Sequence, residues 1–425
     1  MTSRRAFLAA CAAVFVFTAL MSVRRIYTLT TDFDGFWRAG RAVLDGHDPY
    51  EAIPGPEADR LLFPQFRKTT GRTDETEGEA ARSTESAVKR YLPFFGILMA
   101  PFALLPMDVS CLLWHCFSFA SLFLGLKCSF RLSGRDRPLD SGDALAVLIA
   151  TAVFWSDTFT LGQIGLVTLA LSLAAIDLAR TRPWIGGALA GLAAAIKVTP
   201  AIVGVYFLLK RRWAAAAGCA AAFALCCALT VPVWGASRAK SLHATWMQES
   251  ASTAGPRFFD LRESLRYQNQ SLHAWAARMF MDVNAGRQRK PFRVNVATLS
   301  PRAVSWIVRC AQLPLALICL FAFFARRRDE PMRLAEAGLL LAVTTFVTPI
   351  AWTFHLAVIL PAIVCLLDRR HETESRRWLF ATILLEFGMV HSSTRAIGLP
   401  MFACLAAALG AWRAAMKERA AAPSA

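Results

Sequence analysis

Two aspartates, Asp32 and Asp34, stand just past the first apolar run, in Thr31-Asp-Phe-Asp-Gly-Phe-Trp-Arg-Ala-Gly40. A carboxylate at the edge of a hydrophobic segment is costly to bury and well suited to taking a proton. Two positions apart, they point to different faces of a helix but share one face of an extended segment. A general base, a cation ligand and a plain helix cap are the roles open to them.

Three more polar residues interrupt apolar sequence. Lys197 follows Gly191-Leu-Ala-Ala-Ala-Ile196 and precedes Val-Thr-Pro200. It can hold a phosphate from the end of a short span, or snorkel to the interface. Gln163, in Leu161-Gly-Gln-Ile-Gly165, sits in a very short turn between two spans. It can bind a ligand or satisfy free backbone groups of the turn. His355 closes Thr348-Pro-Ile-Ala-Trp-Thr-Phe-His355 at the junction of two apolar runs. It is either a satisfied interior group or part of a site. Asn269 and Gln270, with Ser271, lie in a polar stretch beside Arg262, Arg266 and Tyr267. Amides and guanidinium groups there suit sugar hydroxyls or phosphate, and an amphipathic loop helix is the plainer account.

Such residues need a membrane scaffold to hold them. Of 425 residues, 56% are hydrophobic and only 18% charged, with mean hydropathy +0.41. That balance belongs to a polytopic helical membrane protein. The net charge of +17 fits basic loops against anionic lipid. Nucleic-acid binding is excluded, because no compact basic domain stands outside the apolar runs. The eleven cysteines lie mostly in or beside apolar sequence, as small buried hydrophobes rather than a disulfide framework. No phosphate-binding glycine loop, HExxH or GxSxG is present. No cofactor and no metal is called for.

Apolar runs fall near 6–23, 91–107, 109–130, 143–159, 164–179, 184–196, 198–209, 214–233, 303–325, 335–350, 354–367, 378–391 and 396–412. Several are shorter than the ~20 residues of a straight span. Half-helices and hairpins are therefore expected. Placing the short Arg-rich linkers together on the cytoplasmic side predicts about twelve crossings. Runs 184–196 and 198–209 then make a hairpin with Lys197 at its tip. Run 91–107, broken by Pro93, Pro101 and Pro106, becomes a re-entrant piece. Residues 1–425 read as one membrane-embedded domain. Residues 26–90 form a first outer loop, flexible over 65–90, and 234–302 form a second.

The order of motifs resembles glycosyltransferase family 87. It runs Asp32-Phe, Phe36-Trp-Arg-Ala39, Gly46-His-Asp-Pro-Tyr50, Tyr91-Leu-Pro93, Gly162-Gln163, Lys197-Val-Thr-Pro200, Asn269-Gln-Ser271 and Thr348-Pro349 to His355. The family pattern has Tyr where this chain has Phe36. The resemblance implies a GT-C fold, all-α and membrane-embedded, with its site on the outer face of the inner (plasma) membrane. It also implies a hexose, mannose foremost, taken from a polyprenyl-phosphate sugar donor and passed to a glycolipid or glycan acceptor. Asp32 matches the family's general base, with Asp34 as the fallback, and His355 matches its late histidine. Tyr91, Gln163, Lys197, Arg266, Asn269 and Gln270 complete the expected substrate-binding set.

The chemistry agrees with these residue types. A phosphate leaving group carries negative charge that Lys197 can meet. An acceptor hydroxyl must lose a proton that a carboxylate can take. In-line displacement inverts the anomeric centre and needs one carboxylate. The rival reading is a polyprenol-linked sugar transporter or flippase. Related halves would mark it, and none are visible.

Overall fold

The structure, a computed structural model, describes residues 2–27, 31–50, 88–134, 141–254, 258–259, 262–286, 290–324 and 331–420. The expected flexible segment 65–90 lies outside the described residues up to position 87.

Among the described residues the regular structure is helical, with a single isolated bridge, Asn269 to Trp352. The first helices are α1 (Thr2–Tyr27), α2 (Asp32–Leu44), α3 (Phe94–Ala103), α4 (Met107–Leu132), α5 (Ser141–Ala150), α6 (Ala152–Leu161), α7 (Gly165–Leu178), α8 (Pro183–Ile196) and α9 (Ala201–Leu209). They are followed by α10 (Trp213–Ala228), α11 (Thr230–Ala254), α12 (Leu272–Phe280), α13 (Pro301–Phe324) and α14 (Leu334–Val347). A 3₁₀ segment, Thr353–Ile359, then leads into α15 (Leu360–Asp368), and α16 (Thr373–Glu386), α17 (Ser392–Ala396) and α18 (Leu399–Ala420) complete the chain.

Three helices are long and apolar enough to cross a membrane alone: α4, α13 and α18. Counting each bent helix pair as one span raises this to six. The chain is a helical membrane protein on that ground. The shorter apolar helices, α3, α7, α8, α14 and the segment Thr353–Asp368, are five further candidates for a crossing.

Two apolar runs differ from their expected single spans. Run 143–159 is broken at Thr151 into α5 and α6, bent by 73°, with the Thr151 hydroxyl donating to the Val147 carbonyl at 2.8 Å. Run 214–233 is broken after Ala228, and α11 leaves α10 at 79°. The second polar stretch is thus no plain loop, since α11 continues to Ala254 and α12 follows. The expected break at Lys197 is present: α8 ends at Ile196, Lys197 is extended (φ −150°), and α9 starts only at Ala201.

The large core joins α4, α6, α7, α12, α14, α15 and α18. A smaller apolar cluster holds Phe33, Phe36, Trp37, Tyr91, Phe95, Met99, Trp114, Ile164 and Ile196. Three of its members are chain neighbours of polar residues singled out above, Phe33 beside Asp32, Ile164 beside Gln163 and Ile196 beside Lys197, and Tyr91 was itself singled out. Burial of these anchors fixes the backbone from which each polar group projects. Gly40 lets α2 approach α3, since a Cβ there would fall 2.5 Å from the Met99 carbonyl carbon. The opposite end of the Thr353–Asp368 segment carries an ion network, with Arg369 paired to Glu372 and Glu418, and Lys417 to Glu372 and Glu374.

Candidate functional site

Asp32 is the first residue of α2. Thr31 caps the helix, accepting from Phe33 N at 3.2 Å while its hydroxyl donates to the Leu161 carbonyl at 2.7 Å. The positive end of α2 favours a carboxylate in its first turn. Gln163 Nε2 donates to Asp32 Oδ2 at 2.5 Å. The charges of Lys197 and Arg25 lie within electrostatic reach of Asp32.

Gln163 is presented by the tight turn between α6 and α7. Gly162 adopts φ +66°, and a Cβ there would meet the Phe33 Cβ at 2.6 Å. Both facts favour glycine. The turn is pinned by Trp114 Nε1 donating to the Gly162 carbonyl (2.8 Å) and Gln163 N donating to Thr158 O (2.9 Å). Because an ionised carboxylate only accepts, the amide nitrogen of Gln163 must face Asp32. Its Oε1 then points away, buried and without a hydrogen-bond partner.

Lys197 Nζ lies 2.5 Å from His355 Nε2 and 5.9 Å from the centre of the Phe354 ring. Trp352 N–H donates to His355 Nδ1 at 3.1 Å. Two bonds from α6 hold the histidine segment: the Thr353 hydroxyl donates to Asp157 Oδ2 (2.7 Å) and the Thr158 hydroxyl to the Phe354 carbonyl (3.3 Å). The α6–α7 turn therefore positions both ends of the polar cluster.

Tyr91 stacks on Phe95 (4.5 Å between centroids) and meets Phe36 edge-on at 5.3 Å. The Tyr50 hydroxyl donates to the Tyr91 carbonyl at 2.7 Å. Burial pushes the Tyr50 phenol up, the Asp48 carboxylate adds to this, and the group stays a donor. Arg90 acts electrostatically on Tyr91, Lys197 and His355.

Thus Asp32, Gln163, Lys197, His355 and Tyr91 come together, from five separate stretches of chain. Asp34 is turned elsewhere, buried and held by Arg38 Nε at 2.9 Å across one helical turn. Asn269 and Gln270 are fully buried and bonded to main chain. Asn269 Nδ2 donates to Ser264 O and Pro349 O, and its Oδ1 accepts from Ser271 N and Ala351 N. Gln270 Nε2 donates to Tyr267 O and Arg395 O. Arg266 contributes its carbonyl, which accepts from Arg278. This segment clasps the loop that carries His355. Arg90 and Arg25 join the cluster without having been singled out. The available signal was the position of Arg90 directly before the Tyr91-Leu-Pro93 motif. Among the described residues no three His, Cys, Asp or Glu side chains group as metal ligands.

The glycosyltransferase family 87 model matches residues 90–349. A Mycolicibacterium smegmatis protein named polyprenol-phosphate-mannose-dependent alpha-(1-2)-phosphatidylinositol pentamannoside mannosyltransferase is 40% identical over 137 residues, covering 31% of this chain and 32% of that protein. A Mycobacterium tuberculosis protein of the same name is 27% identical over 307 residues, 69% of this chain and 63% of that protein. A second M. smegmatis protein, named for phosphatidylinositol mannoside rather than pentamannoside, is 30% identical over 236 residues, covering 52% of this chain and 46% of that protein. Each match spans less than two thirds of the relative's own length. No solved structure matches the chain.

Proposed function

The chain belongs to glycosyltransferase family 87, and from that membership we propose that it moves mannose from a polyprenyl-phosphate donor onto a glycolipid acceptor. The observation that carries the reading is one hydrogen-bonded carboxylate, Asp32, within electrostatic reach of Lys197 and its partner His355. The donor in the names of the relatives, polyprenol-phosphate-mannose, has the leaving group such a pair suits.

Asp32 takes the proton of the acceptor hydroxyl. The acceptor oxygen attacks the anomeric carbon from the face opposite the phosphate. The bond from that carbon to the phosphate oxygen breaks, and the polyprenyl phosphate departs with the electron pair. Lys197, His355 and Arg90 meet the negative charge that develops there. One carboxylate and one displacement invert the anomeric centre. Base catalysis of this kind contributes about a hundredfold to ten-thousandfold. Asp34, tied to Arg38, is left out of the reaction. The proposed setting is a GT-C architecture of about twelve crossings, with the basic linkers cytoplasmic and the site on the outer face.

The test is reconstitution. Purified protein in liposomes receives mannosyl phosphoryl polyprenol or a nucleotide-bound mannose, with octyl α-mannoside as acceptor. The expected result is a disaccharide from the polyprenyl donor alone, with the donor's anomeric configuration inverted. Product from the nucleotide sugar alone, or with configuration retained, overturns the reading.

A further inference from the structure

The carboxylate and the amide beside it form a two-part recognition element. Gln163 Nε2 occupies Asp32 Oδ2, so Asp32 Oδ1 is the oxygen left to receive a proton. The amide oxygen of Gln163 is bonded to the same carbon as that nitrogen, one side-chain amide away from the carboxylate. That oxygen is buried, the residue is only 5% exposed, and it has no hydrogen-bond partner. A buried acceptor left unmade costs free energy, and native proteins rarely leave one without a reason. The turn that carries it is held rigidly by Trp114 and by Gly162 packed on Phe33. The backbone that carries the amide is therefore fixed, and the bond to Asp32 holds the side chain.

The geometry points to Gln163 as a reader of a vicinal diol on the acceptor sugar. One hydroxyl gives its proton to Asp32 while the hydroxyl on the adjacent carbon donates to Gln163 Oε1. This rests on the transfer reading above and adds to it. The acceptor must be a sugar ring, or another polyol, with a hydroxyl next to the one that reacts. A lone hydroxyl leaves Gln163 Oε1 unpaired in the closed complex, and a site built around such a bond discriminates against the analogue lacking it. The same contact ties acceptor binding to the alignment of the base. The adjacent hydroxyl pulls on the amide that orients Asp32, so binding the correct sugar and aiming the carboxylate are one event.

The test uses octyl α-mannoside and the set of its monodeoxy analogues, with mannosyl phosphoryl polyprenol as donor, on wild type and Gln163→Met. Deoxygenation at the reacting position abolishes product. In wild type, deoxygenation next to it lowers kcat/KM by about ten- to a hundredfold, and deoxygenation elsewhere does not. Gln163→Met lowers turnover of both acceptors, since the bond that orients Asp32 is lost as well, and the ratio between the parent acceptor and the adjacent-deoxy analogue falls to about one. An equal deoxygenation penalty in the variant overturns the inference. If the variant fails to fold, the wild-type series still decides: no penalty at any adjacent position overturns it. No product from the parent acceptor overturns the transfer reading and this one with it. Product with flat ratios overturns this one alone.

Discussion

Arg278 offers a sharp test of how the site is held. Its guanidinium is 1% exposed. Its Nε donates to the Ala396 carbonyl at 2.9 Å, and its Nη1 reaches the carbonyls of Asn269 (2.8 Å), Arg266 (3.0 Å) and Leu265 (3.3 Å). One side chain thus ties α17 to the segment that clasps the His355 loop. Nη1 has two protons for three acceptors, so about three effective charge-assisted bonds are made in all. Each is worth roughly 1.5–3 kcal/mol. Arg278→Met removes them and strands buried carbonyls, while relieving the cost of burying a charge without a carboxylate. The net loss is about 3–5 kcal/mol, the range found when a buried charged partner is removed. That corresponds to a fall of roughly 3–6 °C in melting temperature for a chain of 425 residues. The assay is thermal unfolding of detergent-purified protein followed by intrinsic tryptophan fluorescence. Arg278→Lys keeps the charge but lacks the planar fork, so it should fall between wild type and Arg278→Met. A melting temperature for Arg278→Met within about 1 °C of wild type would refute this account, because a loss near 1 kcal/mol already shifts it that far.

Further predictions bear on the chemistry and the frame. Lys197→Met should lower kcat by about a hundredfold or more, through lost stabilisation of the departing phosphate, while the melting temperature holds; steady-state kinetics on reconstituted protein checks it. Gly162→Val should destabilise by at least ~1–2 kcal/mol, since a side chain there needs a left-handed backbone and meets Phe33; unmeasurable loss in thermal unfolding would contradict it. In a cysteine-free background, His47→Cys should react with an impermeant thiol reagent from outside and Arg377→Cys should not; the reverse pattern inverts the proposed topology.

How much could be read in advance depended on what each feature rests upon. Asp32, Gln163, Lys197 and His355 were legible because each is a polar interruption of apolar sequence, where charge is expensive and seldom idle. Their convergence was not legible, for it depends on α1, α2, the α6–α7 turn and the end of α8 packing around one apolar cluster, with the 3₁₀ segment tied to α6 by Thr353 and Thr158. The pairing of Asp34 with Arg38 is local, an i,i+4 contact, yet it emerges only once α2 is known to be helical from Asp32 onward. Asn269 and Gln270 have the composition of a sugar-binding pair. Their bonds to Pro349, Ala351 and Arg395 join residues about eighty or more positions apart, which no local pattern reports. The break at Thr151 was hidden for a different reason. Neither Pro nor Gly marks it, and the sequence is apolar on both sides, from Ala144 to Ala150 and from Ala152 to Trp155, so the run reads as one straight span.

The central claim is that Asp32, and not Asp34, takes the acceptor's proton. The most direct measurement is kcat for mannose transfer by reconstituted wild type, Asp32→Asn and Asp34→Asn. Asparagine keeps the side-chain shape, so Gln163 still has a partner while the base is gone. Asp32→Asn should lose about a hundredfold or more in kcat with its melting temperature close to that of wild type. Asp34→Asn, which weakens only the contact with Arg38, should lose much less. Wild-type turnover in Asp32→Asn together with a dead Asp34→Asn would contradict the account and move the base to Asp34.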